Sequence, residues 1–123
     1  MTISYVSQNT DALCGTLSDY VAANKIEESL FKAILRKLDF TREQFDKELQ
    51  YFSGGQKKKV LIAKSLCQPS HLLVWDEPLN YIDVISRIQL EQLLLEYRPT
   101  MLFTEHDLTF RNHIATKTIE LSN

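Results

Sequence analysis

Two adjacent carboxylates, Asp76 and Glu77, end the apolar run Leu72-Leu73-Val74-Trp75 and stand directly before Pro78. Ligand sites in open α/β sheets lie at the carboxyl ends of strands. A carboxylate placed there can hold Mg²⁺, a hard cation that takes oxygen ligands and keeps several waters. The second acid can orient or deprotonate a water that attacks a γ-phosphate. The plainer alternative is a glutamate in a turn before a proline. Upstream, Ser53-Gly54-Gly55-Gln56 combines a helix-capping pattern with two glycines. Glycines permit close backbone approach, and the start of a helix points N–H groups and a positive dipole end at an anion. Its plainer alternative is a helix cap with a flexible lead-in. Downstream, the apolar run Met101-Leu102-Phe103 leads through Thr104 and Glu105 to His106. An imidazole there can donate a hydrogen bond to a γ-phosphate oxygen, although a lone histidine is weak evidence.

Other polar residues carry less. Lys57, Lys58 and Lys59 read as a solvated helix face, with steering of a nucleotide or an acidic partner as the alternative. His71 and His113 read as structural. Cys67 and His71 lack the further ligands, at suitable spacing, that a zinc site needs. A phosphate-binding loop of the form G-x-x-x-x-G-K-[ST] is also missing. The three glycines stand at 15, 54 and 55, so no pair has the required spacing.

The elements that must position these groups follow from periodicity. Alternation in Thr2-Ile3-Ser4-Tyr5-Val6-Ser7 gives a short strand ending at Gln8. Residues 9–15 are turn-like. Residues 17–49 break into short helices, the clearest over 27–38, where Leu30, Ile34, Leu35 and Leu38 recur three or four apart. Thr41-Arg42-Glu43-Gln44 fits a capping box, and Ser53 to Gln56 has the same spacing ahead of a helix through Leu66 that Pro69 ends. Residues 71–75 lack alternation, as expected of a strand covered on both faces. Residues 82–96 read as a long helix, 100–104 as a second buried strand, and 117–121 as an edge strand. Strand and helix alternate after residue 67, which argues for an α/β layer with a parallel sheet behind a helical first half.

Size and composition set outer bounds. The 123 residues fit one domain, 44% of them hydrophobic and 24% charged. A net charge of −2 gives no global pull toward nucleic acid or anionic membrane. No apolar run approaches the roughly 18 residues of a membrane-spanning helix. The N-terminus has no secretory pattern, and Cys14 and Cys67 do not make a disulfide framework. A reduced, cytoplasmic setting is the simplest expectation.

Taken together and in order, the motifs resemble the ATP-binding cassette (ABC) superfamily. Phe52-Ser53-Gly54-Gly55-Gln56 resembles its LSGGQ signature with phenylalanine for leucine. Leu72 to Glu77 resembles its Walker B strand, Asp83 its D-loop aspartate, His106 its switch histidine and Gln8 its Q-loop glutamine. Glu77-Pro78-Leu79-Asn80-Tyr81-Ile82-Asp83 is similar to the E-P-T-N-H-L-D stretch of the ABC-F proteins, with Leu79 and Tyr81 as departures. The lysine run and these departures look most like the second cassette of the antibiotic-resistance ABC-F proteins.

The resemblance implies a partial P-loop NTPase fold of the α/β class. Residues 1–8 would be the strand leading to the Q-loop, 9–68 a helical subdomain carrying the signature, and 69–123 the Walker B, D-loop and histidine part of the core. It further implies ATP and Mg²⁺ as cofactors, and a second cassette that sandwiches two ATP molecules with the first. Carried over, Glu77 is the catalytic base, Asp76 holds Mg²⁺ through water, and Gln8 reaches the metal and the attacking water. His106 meets the γ-phosphate, while Ser53, Gly54, Gly55 and Gln56 close on the nucleotide of the opposite cassette, with Asp83 beside them. ABC-F proteins act on the ribosome without membrane domains.

Several expectations accompany that reading. A chain lacking the phosphate-binding loop is expected to hydrolyse ATP negligibly by itself. The loop's strand is expected between the Walker B strand and the strand before His106, so its absence should force those two strands together or make copies associate. A transporter cassette and a non-catalytic interaction module with vestigial motifs are the alternatives. The DNA-repair cassette ATPases are a weaker one, since they insert long coiled coils.

Overall fold

The computed structural model describes residues 3–6, 13–68, 72–105, 110 and 114. Gln8, His71, His106, His113 and the expected edge strand at 117–121 lie outside the described residues. Three parallel strands, β1 (Ile3–Val6), β2 (Leu72–Asp76) and β3 (Met101–Thr104), form a sheet in the order β1-β2-β3. Between β1 and β2 come the helices α1 (Leu17–Asn24), α2 (Glu28–Lys37), α3 (Arg42–Phe45) and α4 (Gly54–Cys67), with a 3-10 turn at Leu49–Tyr51. Helix α5 (Val84–Tyr97) joins β2 to β3.

Local chemistry explains most boundaries. Thr16 caps α1 by accepting from the Asp19 N–H, and Lys25 ends it in a left-handed conformation at φ 54°. Thr41 and Gln44 form the expected capping box. Helix α2 buries Phe31, Ile34 and Leu35 on one face. Beyond it, Phe40 stacks edge-on against Phe45 and Phe52, with centroids 5.7 Å and 5.6 Å apart. Phe52, in place of the family's leucine, is therefore a core residue at 5% exposure.

A small polar network fastens the sheet to α4. The Ser4 hydroxyl lies 2.9 Å from Ser65 Oγ, and the Trp75 indole N–H donates to the same Ser65 oxygen at 2.8 Å. Both bonds are buried, where a satisfied polar group specifies one arrangement of its neighbours. They fix β1 and β2 against one point of α4.

Of the expectations about the strands, the direct pairing is met and the burial of β3 is not. β2 pairs with β3 directly, in a continuous parallel register from Leu73 opposite Met101 to Asp76 opposite Thr104. Neighbouring strands sit about 4.8 Å apart, so no third strand fits between them. β3 is also not buried on both faces. Its residues alternate between half-buried and exposed, and Leu102 is 62% exposed. Among the described residues β3 is an outer strand, while β2 is central with a partner on each side.

Candidate functional site

Asp76 is the last residue of β2, and Glu77 begins the turn that leads into α5. Glu77 takes φ 47°, the left-handed region that a residue with a Cβ adopts reluctantly. The conformation is held from both directions. The Glu77 N–H donates to Thr104 O at 2.9 Å and meets Thr104 Oγ1 at 3.2 Å, while the Asn80 N–H closes the turn on Glu77 O at 3.2 Å. The Asn80 side-chain amide donates to Glu77 Oε2 at 3.2 Å. Thr104 Oγ1 donates to Asp76 Oδ1 at 2.7 Å, the short distance of a hydrogen bond to a charged acceptor. Glu105 accepts from the Leu79 N–H at 3.2 Å.

From beneath, α4 contributes Lys58. Its side chain is fully buried, and Nζ donates to the Asp76 carbonyl oxygen at 3.4 Å. Burial pulls the Lys58 ammonium below the ordinary lysine pKa, and the negative charges of Asp76, Glu105 and Glu77 oppose that shift. Lys59 is likewise buried and pairs with Asp83 at 3.6 Å. The expected solvated lysine face is thus corrected for two of its three members. The helix is short of apolar residues at these positions because the turn beside it is acidic, and the lysine stems pack while their charges find carboxylates.

The second cluster is the start of α4. Ser53 and Gln56 form a reciprocal capping box, Gln56 N–H to Ser53 Oγ at 3.2 Å and Ser53 N–H to Gln56 Oε1 at 3.0 Å. The capping alternative is therefore present as structure, and it leaves the Ser53 O–H able to meet an acceptor. The need for glycine comes from elsewhere in the chain. A Cβ on Gly55 would collide with the backbone oxygen of Tyr81, and one on Gly54 would lie 3.3 Å from the Tyr81 ring. Tyr81 itself holds φ 67° and is 74% exposed. The turn after the acids thus lies on the glycine pair, with Tyr81 covering it. Leu79, the other departure from the ABC-F stretch, is a core residue at 2% exposure.

Asp83 caps α5 by accepting from the Ser86 N–H at 3.1 Å. Desolvation would raise its carboxyl, but hydrogen bonds from Ser86 and the charge of Lys59 hold it below the usual aspartate value. Of the expected site residues, Ser53, Gly54, Gly55, Gln56, Asp76, Glu77 and Asp83 fall on one continuous corner built by α4, the β2 end and the α5 start. Thr104, Glu105, Lys58 and Asn80 belong to that corner and were not singled out by sequence. A hydroxyl or carboxylate ending an apolar strand was the available signal for Thr104 and Glu105. Lys58 gave none, because a lysine in a basic run reads as surface.

A carboxylate at a strand end is an oxygen ligand of the kind a hard divalent cation takes. Among the described residues no three His, Cys, Asp or Glu side chains gather into a cage, and Asp76 offers carboxylate oxygen at a strand end. Mg²⁺ sites of that kind use one or two carboxylates plus phosphates. Among the described residues, no helix is long and apolar enough to cross a membrane.

Comparisons with known proteins agree with this geometry. Residues 1–80 match the family model described as ABC transporter. The chain is 36% identical over 98 residues to the putative ATP-binding protein YdiF of Bacillus subtilis (strain 168), covering 80% of this chain and 15% of that protein. It is 36% identical over 90 residues to ABC transporter F family member 2 of Arabidopsis thaliana, covering 73% of this chain and 13% of the relative. The chain thus spans about a seventh of the length of these curated relatives.

Among solved structures, the archaeal ribosome recycling factor aABCE1, in complex with ribosomal stalk protein aP1, overlaps 92% of this chain and 23% of its own. The TM-score is 0.72 and the identity 27%. The structure named RNase-L Inhibitor overlaps 91% of this chain and 23% of its own, with TM-score 0.70 and 26% identity. Overlap of that extent shows that the chain's fold is shared with part of much longer chains. With the family model matched over well more than half of its residues, the chain belongs to the ABC transporter ATPase family.

Proposed function

We propose that this chain supplies the signature, Walker B and D-loop part of an ABC-F ATPase cassette, which works in a two-cassette ATP sandwich and acts on the ribosome in antibiotic resistance or translation. The observation that carries the reading is the acid turn. Glu77 is raised at the carboxyl end of a central parallel strand, on the same corner as an exposed, glycine-lined helix start. Support for the subfamily comes from relatives named as ABC transporter F family members and from the Glu77-Pro78-Leu79-Asn80 run.

Each residue then has a task. Mg-ATP, when bound, supplies the electrophilic γ-phosphate and the metal that draws off its charge. Asp76 would hold the metal and Glu77 would orient and deprotonate the attacking water, while Asn80 steadies the Glu77 carboxylate. Ser53, Gly54, Gly55 and Gln56 face the nucleotide of the opposite cassette, where the α4 N-terminus favours an anion. Gln8 and His106, outside the described residues, would serve the metal and the γ-phosphate as the family resemblance implies. Asp83, held by Lys59, fixes the start of α5 against the signature helix. Catalysis of this kind is positioning plus charge neutralisation, so the phosphate cradle is indispensable.

The 123-residue chain by itself is therefore expected to bind and turn over Mg-ATP negligibly. Isothermal titration and a phosphate-release assay, with Glu77→Gln as control, test this. Turnover abolished by Glu77→Gln would mean that another element of the chain cradles the phosphates, and the two-cassette requirement would fall.

A further inference from the structure

One hydroxyl touches both hydrolytic residues. Thr104 stands opposite Asp76 in the β2–β3 register, and its Oγ1 donates to Asp76 Oδ1 at 2.7 Å while meeting the Glu77 N–H at 3.2 Å. The same N–H donates to Thr104 O at 2.9 Å. Glu77 holds φ 47°, a conformation that persists in a residue with a Cβ only where its surroundings over-determine it. These bonds come from β3, the strand whose far end has no covalent tie to the turn short of α5.

We infer that Thr104 is a positioning residue for hydrolysis: its hydroxyl sets the orientation of the Asp76 carboxylate and locks the Glu77 backbone in its left-handed turn. The inference deepens the proposed function and rests on its assignment of Asp76 and Glu77. Valine has the shape of threonine with neither donor nor acceptor, so no other common side chain isolates the hydroxyl as well. Release of the hydroxyl removes the 2.7 Å hydrogen bond that now fixes one oxygen of the Asp76 carboxylate. It also leaves the Glu77 N–H with the Thr104 backbone oxygen alone, removing one of the two acceptors that hold the turn beneath the Glu77 carboxylate, which Asn80 Nδ2 meets at 3.2 Å. Misplacement of a reacting group by an ångström is enough to cost large factors in rate.

The test compares Thr104→Val and Thr104→Ser. In the 123-residue chain, ¹³C and ¹⁵N spectra follow the Asp76 carboxyl carbon and the Glu77 amide. The Leu73 amide, which donates to Thr100 O at 2.9 Å, monitors the strand pair away from the hydroxyl. Thr104→Val is expected to move the first two signals and to quicken Glu77 amide exchange several-fold, with Leu73 unchanged; Thr104→Ser keeps the wild-type signals. Unmoved signals in Thr104→Val would overturn the inference. So would an equal loss of protection at Leu73, which would make Thr104 a general strand residue.

In the two-cassette protein that the proposed function requires, Thr104→Val is expected to lower kcat about tenfold, as loss of a hydrogen bond to a charged group does, without changing KM for ATP. Thr104→Ser is expected to restore it. A Glu77→Gln variant that kept full turnover would sink the assignment of Glu77, while the spectral result in the isolated chain would stand.

Discussion

The signature corner and the acid turn share one edge of the molecule, yet they are held by different means. The capping box of Ser53 and Gln56 closes over three residues of sequence. The acid turn closes locally on Asn80 but is held as well by partners 18 to 28 residues away, Lys58 below and Thr104 and Glu105 beside. The cap of such a helix start needs only bonds within its own four residues. The acid turn exists only once α4, β2 and β3 have assembled. Under the proposed function, the group that needs the closest placement is the one held by long-range contacts, and the local motif is the exposed contact surface.

Substitutions can break this contrast, and the largest effect is expected beneath the acids. Lys58→Ala should cost about 2–3 kcal/mol in urea unfolding, because it empties a fully buried site. Lys58→Met, of similar volume, should change stability by no more than about 1 kcal/mol, since a buried ion replaced by an apolar isostere is often nearly neutral. Equal losses in the two variants would mean that the charge, rather than the packing, holds the turn.

Gly55→Ala comes next, at about 2 kcal/mol, because the added methyl meets the Tyr81 backbone rather than a movable side chain. Gly54→Ala meets only the exposed Tyr81 ring and should fall within about 0.5 kcal/mol of wild type. A reversed order in thermal melts would show that Tyr81 does not rest on Gly55. Ser53→Ala should cost about 1 kcal/mol through loss of the cap, with the acid turn undisturbed.

The smallest effect concerns Asp83. Its carboxyl lies below the usual value, so its stabilising contribution is present above the ordinary aspartate range and is lost as pH falls through the lowered folded value. With the side chain 56% exposed, solvent screens the Lys59 pair, and Asp83→Asn should flatten the acid side of the stability profile by only a few tenths of a kcal/mol. Melts at descending pH, wild type against Asp83→Asn, measure it.

What was legible in sequence follows the same division. Capping boxes at Thr41 and Ser53 and the strand before Asp76 rest on spacings within one element and appear where expected. The α2 stripe does so at Ile34, Leu35 and Leu38, with Phe31 rather than the half-buried Leu30 at its start. The lysine run misled because a helix buries whatever its neighbours can neutralise, and Asp76, Asp83 and Glu105 are distant in sequence. β3 looked buried because apolar residues fill it; whether a strand is central or outer depends on the number of its neighbours. The strand pairing itself is a matter of topology, to which hydrophobic patterning is blind.

Trp75 is the chain's single tryptophan, 1% exposed, with its indole N–H on Ser65. It is joined by one peptide bond to Asp76. The molecule therefore carries its own fluorophore at the edge of its chemistry. Its emission should lie to the blue in the folded state and report any disturbance of the β2 end without an attached label. Loosening of the β2 end then becomes an optical event that can be timed in solution.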